Sequence, residues 1–355
     1  MEDLIIRVEQ LKKWFPAKKR LLERSAGNWV KAVDGVDFNI AKGEIFGLVG
    51  ESGCGKTTTG RLILALEKKT GGSIYYKNQE ISSLIHNQKK LRRAMQVIFQ
   101  NPYESLESRL SIFQLLSEPL KIHGLAATEA EMRKKIGEIL SKVDIAEPEE
   151  FLHKHPFELS GGQLQRVAIA RALILEPDFI FADEPVSMLD VSIRAGILEL
   201  LLRLREQMGL TYLFVTHDLA ISKFTCNRVA VMYLGVIVEI GESHEVLDHP
   251  LHPYSQALRM AIPTLDAERR TYKELPDVIG GEIPNAIQIP SGCRFHPRCP
   301  YATALCKEKE PELRELKKNH HVACHYAEDL QADSDLEGPF LHFGRNKTSK
   351  PKVLS

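Results

Sequence analysis

The decisive stretch of the sequence reads Gly50-Glu51-Ser52-Gly53-Cys54-Gly55-Lys56-Thr57, which fits the pattern G-x-x-x-x-G-K-[ST]. Glycines at these positions let the backbone curl, so that successive N–H groups point at one phosphate. The Lys56 ammonium adds positive charge toward the β- and γ-phosphates, and the Thr57 hydroxyl can ligate magnesium. We therefore predict a nucleotide-binding site made of these eight residues together with Thr58.

The residues on both sides strengthen this prediction. Residues 45–49 form an apolar run typical of a buried strand, and residues 56–66 have helical patterning. A bound phosphate would then meet the N-terminus of a helix, where unpaired backbone N–H groups and the helix dipole favour an anion. The sequence thus predicts a strand, a loop and a helix, the setting of a phosphate loop in a nucleotide-hydrolysing ATPase or GTPase.

A second apolar run, residues 179–182, ends in two carboxylates, Asp183 and Glu184. In phosphate-loop ATPases, the acid at the end of such a strand holds magnesium, directly or through water. We assign that role to Asp183. The adjacent Glu184 is predicted to polarise the water that attacks the γ-phosphate.

The composition limits the classes of protein that the chain can represent. At 355 residues it is long enough for two domains, and 43% of its residues are hydrophobic. Its 47 Lys and Arg residues balance its 47 Asp and Glu residues, so no overall charge favours nucleic acid as a partner. No apolar run reaches the roughly 18–20 residues that cross a bilayer, and the N-terminus does not resemble a signal peptide. We expect a soluble, intracellular chain that meets a membrane only through a partner.

The order of patterns along the chain predicts its domains. Strands and helices alternate from residue 4 to about residue 241, which indicates an α/β core over residues 1–248. A helical subdomain is expected within it, at about 101–168. Prolines and cysteines accumulate beyond the core, which predicts a small, loop-rich C-terminal domain over residues 249–327. The polar residues 328–355 are predicted to form a mobile tail.

A third motif, Leu159-Ser160-Gly161-Gly162-Gln163, stands before a helical run that ends at Pro177. Its serine and glycines place a second set of backbone donors at a helix N-terminus, which can bind a phosphate without a lysine. With this motif just ahead of the acidic strand, the chain resembles the nucleotide-binding subunits of ABC transporters. The resemblance implies a RecA-like phosphate-loop core with an antiparallel β part and a helical subdomain.

The resemblance assigns roles to further residues, which follow the motifs of the family in order. Gln100 matches the glutamine that senses magnesium and the attacking water, and His217 matches the switch histidine that contacts the γ-phosphate. Asp190 matches the D-loop, in which a methionine replaces the usual alanine. Phe15 is the candidate for stacking on adenine, with its neighbour Trp14 as the alternative.

The resemblance also implies that ATP is bound between two subunits. Subunits of this family pack head to tail, so that the motif Ser160–Gln163 of one completes the ATP site of the other. Physical reasoning agrees, because the charge of the γ-phosphate needs donors on every side and one subunit leaves a face open. The helical insert, with residues 101–106, is where this family docks a transmembrane subunit.

Four of the six cysteines cluster near the C-terminus: Cys293, Cys299, Cys306 and Cys324. Disulfides are disfavoured by the expected intracellular location. Structural zinc stays open, although paired knuckles are absent, and an iron–sulfur cluster needs only four thiolates that converge. The spacing alone leaves zinc and iron–sulfur as alternatives. The other two, Cys54 and Cys226, are predicted to be plain thiols.

The residues around these four cysteines resemble the C-terminal extension of oligopeptide and dipeptide importer ATPases, which holds a [4Fe–4S] cluster in members of that group. The likeness rests on residues 290–300 and on His252-Pro253-Tyr254, and it covers nearly the whole chain to about Tyr326. Residues 99–106 further resemble the second of the two paired ATPases in these importers. The implied cofactors are ATP, Mg²⁺ and a [4Fe–4S] cluster held by the four cysteines.

The resemblance implies the partners as well: a homologous ATPase in a heterodimer, two transmembrane permeases and an extracytoplasmic substrate-binding protein. It would place the chain on the cytoplasmic face of the membrane, where ATP hydrolysis drives import of oligopeptides or dipeptides. Oligosaccharides and nickel chelates are the alternative cargoes. A non-transport ABC ATPase is disfavoured because the chain has one cassette and no long heptad run. An exporter is disfavoured because the C-terminal extension resembles that of importers.

Overall fold

The computed structural model describes residues 3–17, 29–84, 87–261, 284 and 286–330. Its strands are β1 (Leu4–Pro16), β2 (Trp29–Ala41), β3 (Ile45–Val49), β4 (Gly71–Tyr76), β5 (Gln79–Glu80), β6 (Met95–Ile98), β7 (Phe179–Asp183), β8 (Thr211–Thr216), β9 (Arg228–Tyr233), β10 (Val236–Glu242), β11 (Arg314–Lys317) and β12 (His320–Val322). Its α-helices are α1 (Lys56–Ile63), α2 (Ile81–Leu84), α3 (Gln88–Ala94), α4 (Ile112–His123), α5 (Glu129–Lys142), α6 (Pro148–Phe151), α7 (Gly161–Leu173), α8 (Val191–Met208), α9 (Leu219–Thr225), α10 (Ser243–Asp248), α11 (Pro253–Met260) and α12 (Ala304–Glu308).

The strands form two sheets. The smaller sheet is antiparallel, in the order β2-β1-β4-β5, and the larger sheet has the order β11-β12-β10-β9-β3-β8-β7-β6. Strands β9, β3, β8, β7 and β6 pair in parallel, whereas β10, β11 and β12 pair antiparallel. The architecture therefore combines an α/β core with an antiparallel β part.

The central strands are largely apolar because both faces of the sheet are covered. In β7, Phe179 and Phe181 belong to the hydrophobic cluster that includes the small sheet, while Ile180 and Ala182 belong to the cluster that includes the helices. Successive side chains of a strand point to opposite faces, so β7 contributes side chains to both hydrophobic clusters. This covering on both faces holds the central strands, and the loops that follow them, in fixed positions.

The described residues between β6 and β7 form helices and no strand, in the interval where the sequence predicts a helical subdomain. Helices α4 and α5 each begin with a capping box, in which an N-cap side chain and a side chain three residues later satisfy each other's backbone N–H groups. The N-cap residues are Ser111 and Thr128. Both helices contribute buried side chains to a cluster shared with α7.

The parallel order explains how distant parts of the sequence meet. Strands β3, β8, β7 and β6 are neighbours in that order, and the carboxyl ends of parallel strands lie at one edge of a sheet. The phosphate loop follows β3, and Gln100 follows β6. Glu184 follows β7, and His217 follows β8. The fold therefore collects the predicted catalytic residues at one edge.

The strands of the C-terminal segment extend the core sheet. Strand β12 pairs with β10, with Glu239 opposite Val322. The buried Glu239 carboxylate accepts hydrogen bonds from the Leu251 N–H at 2.7 Å and the His252 N–H at 3.0 Å, and His320 Nε2 lies 2.7 Å from it. One buried carboxylate thus joins the core strand to the segment that follows it. Most of the predicted tail, residues 331–355, lies outside the described residues.

None of the helices in the described ranges combines the length and the apolar character needed to cross a membrane.

Candidate functional site

The phosphate loop begins where β3 ends and is shaped by two glycines. Gly50 and Gly55 have positive φ angles of 147° and 112°. A Cβ on Gly50 would lie 2.3 Å from the backbone oxygen of Met232, and a Cβ on Gly55 would lie 2.1 Å from that of Ala32. Both positions therefore require glycine, for backbone conformation and for space.

Lys56 lies inside this loop. It is 5% exposed, and its Nζ donates to the backbone oxygens of Gly50 at 2.7 Å and Glu51 at 3.0 Å. Ser52 and Gly53 are exposed at the tip of the loop. A buried ammonium thus lies beside an exposed loop tip, where a phosphate can reach it at the N-terminus of α1.

Thr57 and Asp183, two of the three predicted magnesium ligands, are in contact. The Thr57 hydroxyl donates to Asp183 Oδ1 at 2.9 Å. Burial raises the pKa of the Asp183 carboxyl above its ordinary value, and the nearby Glu184 carboxylate raises it further. A hydroxyl and a carboxylate are oxygen donors of the kind that Mg²⁺ prefers, and a bound cation would favour the ionised carboxylate. The donor set therefore fits magnesium.

Glu184 stands at the centre of a group of three hydrogen-bonded side chains. Gln100 Nε2 donates to Glu184 Oε2 at 3.1 Å, and His217 Nδ1 lies 3.0 Å from Glu184 Oε1. The Glu184 backbone has a φ of 46°, and its N–H donates to the carbonyl of Val215 at 2.9 Å, which fixes it to β8. The structure thus brings together the three residues predicted as catalytic. Gln100, the third predicted magnesium ligand, can offer a cation only its amide oxygen, because its nitrogen donates to Glu184.

The motif Ser160–Gln163 forms the N-terminus of α7. Ser160 Oγ accepts from the Gln163 N–H at 3.4 Å, and Gln163 Oε1 accepts from the Ser160 N–H at 3.1 Å, which makes a capping box. Ser160 and Gly161 are exposed, whereas Gly162 is buried against Ile193. In the ranges that the structure describes, none of the motif's hydrogen bonds reaches the phosphate loop. Its hydrogen bonds stay within the first turn of α7, and Ser160 and Gly161 are open to contact with another molecule.

Asp190 is the exposed N-cap residue of α8. Its backbone oxygen accepts from the Ile193 N–H at 2.9 Å, and its carboxylate makes no capping hydrogen bond. The loop before it is held by Arg194, whose Nε donates to the Leu189 oxygen at 2.8 Å. The Arg194 contact therefore fixes the backbone of this loop. The exposed Asp190 carboxylate is available for contact with another molecule.

The two aromatic candidates for adenine stacking have different surroundings. Trp14 Nε1 donates to Asp34 Oδ1 at 2.9 Å, and Lys31 Nζ lies 4.6 Å from the centre of its ring. Phe15 is half-buried, with Lys13 Nζ 4.5 Å from its ring centre. Trp14 is thus tied into the fold by its polar atom. In the part of the chain that the structure describes, Phe15 makes no such contact, and its role in adenine stacking stays a prediction.

The four C-terminal cysteines line one small cavity of about 10 Å³, together with His252, His296 and His325. All four are free thiols, and burial raises the pKa of Cys299 and Cys324 to about 12. Within the described ranges, however, no group of three or more His, Cys, Asp or Glu side chains is arranged to hold a metal ion. The thiols therefore converge on one cavity without the close approach that bound metal imposes.

Comparison with known proteins identifies the class of this site. Residues 33–187 match the family model described as ABC transporter, and residues 238–306 match the one described as oligopeptide/dipeptide transporter, C-terminal region. The oligopeptide transport ATP-binding protein AppF of Bacillus subtilis is 44% identical over 326 residues, which cover 91% of this chain and 98% of that protein. The chain belongs to the ABC transporter family of ATP-binding subunits.

A second relative and two solved structures support the same family and fold for this ABC ATPase. The dipeptide transport ATP-binding protein DppF of Haemophilus influenzae is 42% identical over 315 residues, covering 88% of this chain and 94% of that protein. The structure of cbiO1 from Clostridium perfringens has a TM-score of 0.59 and 31% identity, over 70% of this chain and 92% of that chain. A dimeric bacterial ABC transporter cassette has a TM-score of 0.58 and 32% identity, over 67% and 99%. The ABC ATPase fold that the sequence predicts is confirmed.

Sequence reasoning missed the residues that hold the phosphate loop of this ABC ATPase from the C-terminal side. Arg298 forms an ion pair with Glu51 at 2.9 Å, and Tyr254 Oη accepts from the Glu51 N–H at 2.9 Å. Arg294 of the same segment binds β2 instead, where its NH2 donates to Asp34 Oδ2 at 2.6 Å. The available signal was the pair of arginines beside Cys293 and Cys299, Arg294 and Arg298. It names no partner, because Arg298 and Glu51 are 247 residues apart.

Proposed function

We propose that the chain is the ATP-hydrolysing subunit that powers import of oligopeptides or dipeptides through an ABC transporter. One observation carries the proposal: the same chain contains the side chains for ATP hydrolysis and a C-terminal region of the peptide-transporter type. A Glu184-centred group lies at the sheet edge that carries the phosphate loop, and the C-terminal region matches the oligopeptide/dipeptide transporter model over residues 238–306. The relatives named for oligopeptide and dipeptide transport support the same cargo.

In the proposed reaction, the phosphate loop holds the triphosphate and Glu184 activates the attacking water. Lys56 neutralises charge on the β- and γ-phosphates. Gln100 and His217 are both hydrogen-bonded to the Glu184 carboxylate, so they hold it in one orientation for hydrogen bonding to the water. His217 is also proposed to contact the γ-phosphate, and Phe15 to stack on adenine.

Thr57, Asp183 and Gln100 are the residues that would hold magnesium, whose bound charge favours the highly charged transition state of phosphoryl transfer. The contact between the Thr57 hydroxyl and Asp183 Oδ1, at 2.9 Å, supports this assignment because it brings two oxygen donors to one point. Gln100 reaches the same region through its contact with Glu184.

We assign the motif Ser160–Gln163, together with Asp190, to the ATP site of a partner subunit. Two observations support this: Ser160 and Gly161 are exposed, and no described hydrogen bond joins the motif to its own phosphate loop. In a head-to-tail dimer, the N-terminus of α7 would supply donors to a γ-phosphate that the partner's loop leaves uncovered.

The proposed partners are a homologous ATPase, two transmembrane permeases and an extracytoplasmic substrate-binding protein. The proposed location is the cytoplasmic face of the membrane, with the permeases docked on the helical subdomain at about 101–168. Exposed apolar side chains in that subdomain support a docking surface, since Tyr103 is 51% exposed, Ile122 57% and Phe157 68%.

Affinity purification of the chain from native membranes tests this proposal. We expect a homologous ATPase, two permeases and a peptide-binding protein to be recovered together. A recovered binding protein that takes only oligosaccharides or nickel chelates would keep the transporter and reject the peptide cargo. Recovery of ribosomes or DNA without a permease would reject the importer itself.

We further propose that Cys293, Cys299, Cys306 and Cys324 hold a [4Fe–4S] cluster within a C-terminal extension over residues 249–327. Four free thiols around one cavity support this in kind and number of ligands, although they must move closer together to bind. The match of residues 238–306 to the peptide-transporter C-terminal region supports the extension. Zinc is the alternative for the same four thiols.

Metal and sulfide analysis of anaerobically purified protein distinguishes an iron–sulfur cluster from zinc. We expect brown protein with about four iron and four sulfide per chain. Cys324→Ser should lose the colour, whereas Cys226→Ser, which changes a buried thiol outside the cavity, should keep it. Stoichiometric zinc without sulfide would overturn the proposal in favour of a zinc site.

A further inference from the structure

The phosphate loop is held by a residue from the cysteine-rich segment, far from it in sequence. Arg298 donates from NH1 to Glu51 Oε2 at 2.9 Å and from NH2 to Glu51 Oε1 at 3.0 Å. Such a two-pronged pair fixes both the distance and the orientation of the carboxylate. The Arg298 side chain is 5% exposed and that of Glu51 21%. The pair is therefore shielded from solvent, unlike an ordinary surface ion pair.

Arg298 is itself held firmly in place. Its NH1 also donates to Tyr233 Oη at 3.4 Å, and its guanidinium lies 5.9 Å from the centre of the Phe295 ring. Burial alone would lower the pKa of Arg298, but its hydrogen bonds to Glu51 and Tyr233 raise that pKa above its ordinary value. The guanidinium is therefore a fixed positive charge on a packed aromatic support.

Glu51 connects this support to Lys56 of the phosphate loop. Its carboxylate binds Arg298, its N–H donates to Tyr254 Oη at 2.9 Å, and its carbonyl oxygen accepts from Lys56 Nζ at 3.0 Å. All three polar groups of the residue are thus engaged. A shift of the Glu51 side chain would move the carbonyl that Lys56 contacts, and with it the loop that surrounds the phosphates.

We propose that Arg298 is a positioning residue of the ATP site, which holds the phosphate loop in its nucleotide-binding conformation through Glu51. The C-terminal segment then contributes to ATP binding through this residue. This inference rests on the proposed role of residues 50–57 in phosphate binding. It adds to that role a residue that no motif of the phosphate loop contains.

The test compares the KM for ATP and the kcat of the purified full-length chain in its assembled complex. Arg298→Gln should raise KM about tenfold and change kcat less than about threefold, because the loop is misplaced before ATP binds while the Glu184 group is untouched. Glu51→Gln should give a similar increase. The double variant should be no worse than either single variant, since the two residues act through one contact. Arg298→Lys keeps the charge but loses the two-pronged geometry, so it should recover part of the affinity.

A matched control is available in the same segment. Arg314 makes the same two-pronged pair with Glu328, at 2.6 and 2.8 Å, but on an exposed surface away from the loop. Arg314→Gln should leave KM unchanged. A purely structural role for Arg298 would lower the thermal midpoint and the active fraction, seen as a lower kcat at unchanged KM, and would contradict the proposal.

Lys56→Ala, measured beside these variants, distinguishes a failure of the positioning role of Arg298 from a failure of the phosphate-binding role of the loop. If Lys56→Ala raises KM and Arg298→Gln does not, the positioning role is wrong and the phosphate loop stands. If Lys56→Ala leaves nucleotide affinity unchanged, the assignment of the loop itself is wrong. Additive effects of Glu51→Gln and Arg298→Gln would also contradict the proposed route through Glu51.

Discussion

Replacing Glu184 by glutamine should abolish turnover while sparing ATP binding. We expect kcat of the assembled complex to fall by about a thousandfold, within the range that a positioned general base contributes, and ATP affinity to change by less than about threefold. Glutamine keeps the size of the side chain and can still hydrogen-bond Gln100 and His217, but it cannot accept a proton from water. The variant should therefore accumulate as an ATP-bound dimer.

The measurement combines steady-state hydrolysis, equilibrium ATP binding and the oligomeric state with ATP and magnesium. Glu176→Gln is the control, because that carboxylate lies in the turn before β7 and its side chain is 72% exposed. It should behave like the native chain. Turnover near the native rate in Glu184→Gln would remove Glu184 from its assigned role.

Replacing Gly161 by aspartate should block hydrolysis in the partner's site rather than in its own. A Cβ on Gly161 meets only Leu189 Cδ2, at 3.8 Å, so the change fits the folded chain without a clash. The new carboxylate would face a γ-phosphate across the dimer and repel it. We expect nucleotide binding by the isolated variant to be native-like, and hydrolysis at the opposite site to fall by about a hundredfold or more.

Mixed complexes, with the variant chain paired to a native ATPase partner, test this prediction directly. Gly161→Asn is the matched control, since asparagine has the shape of aspartate without its charge, and it should be affected much less. Full-rate hydrolysis by a strictly monomeric Gly161→Asp chain would show that the motif is not needed in trans.

The centre of the site could be predicted because each of its residues follows a strand with a clear local pattern. Asp183 and Glu184 end the apolar strand β7, and His217 follows the apolar strand β8. Once a parallel sheet is predicted, the ends of these strands must meet at one edge. The local pattern pointed to Asp183 and Glu184, whereas the roles of Gln100 and His217 came from the family resemblance. The sheet geometry explains why Gln100, Glu184 and His217 lie together.

The C-terminal contacts could not be predicted, because they depend on pairings between remote residues. Strand β12 is three residues long, begins with two histidines and has no alternating apolar pattern, yet it pairs with β10. The contact of Arg298 with Glu51 likewise has no local sequence pattern that would predict it. These contacts are visible only when the chain is folded.

Helix α1 shows a smaller limit of the same kind. Its pattern predicts a helix over residues 56–66, but the helix ends at Ile63. Ala65 takes a positive φ of 50°, and the Leu66 N–H turns back to the Arg61 oxygen at 2.8 Å. Beyond Ile63, Leu64 is buried in the core whereas Leu66 is exposed, so the apolar pattern there does not mark a continuing helix.

The most direct test of the whole account is ATP-dependent uptake of a defined oligopeptide by vesicles that contain the purified complex and its binding protein. With the native chain, the account predicts that peptide accumulates only when ATP is present, and that accumulation stops when this chain carries Glu184→Gln while its partner ATPase stays native. Equal accumulation with the native and Glu184→Gln chains would contradict it, as would steady ATP hydrolysis by the native complex with no accumulation of any peptide.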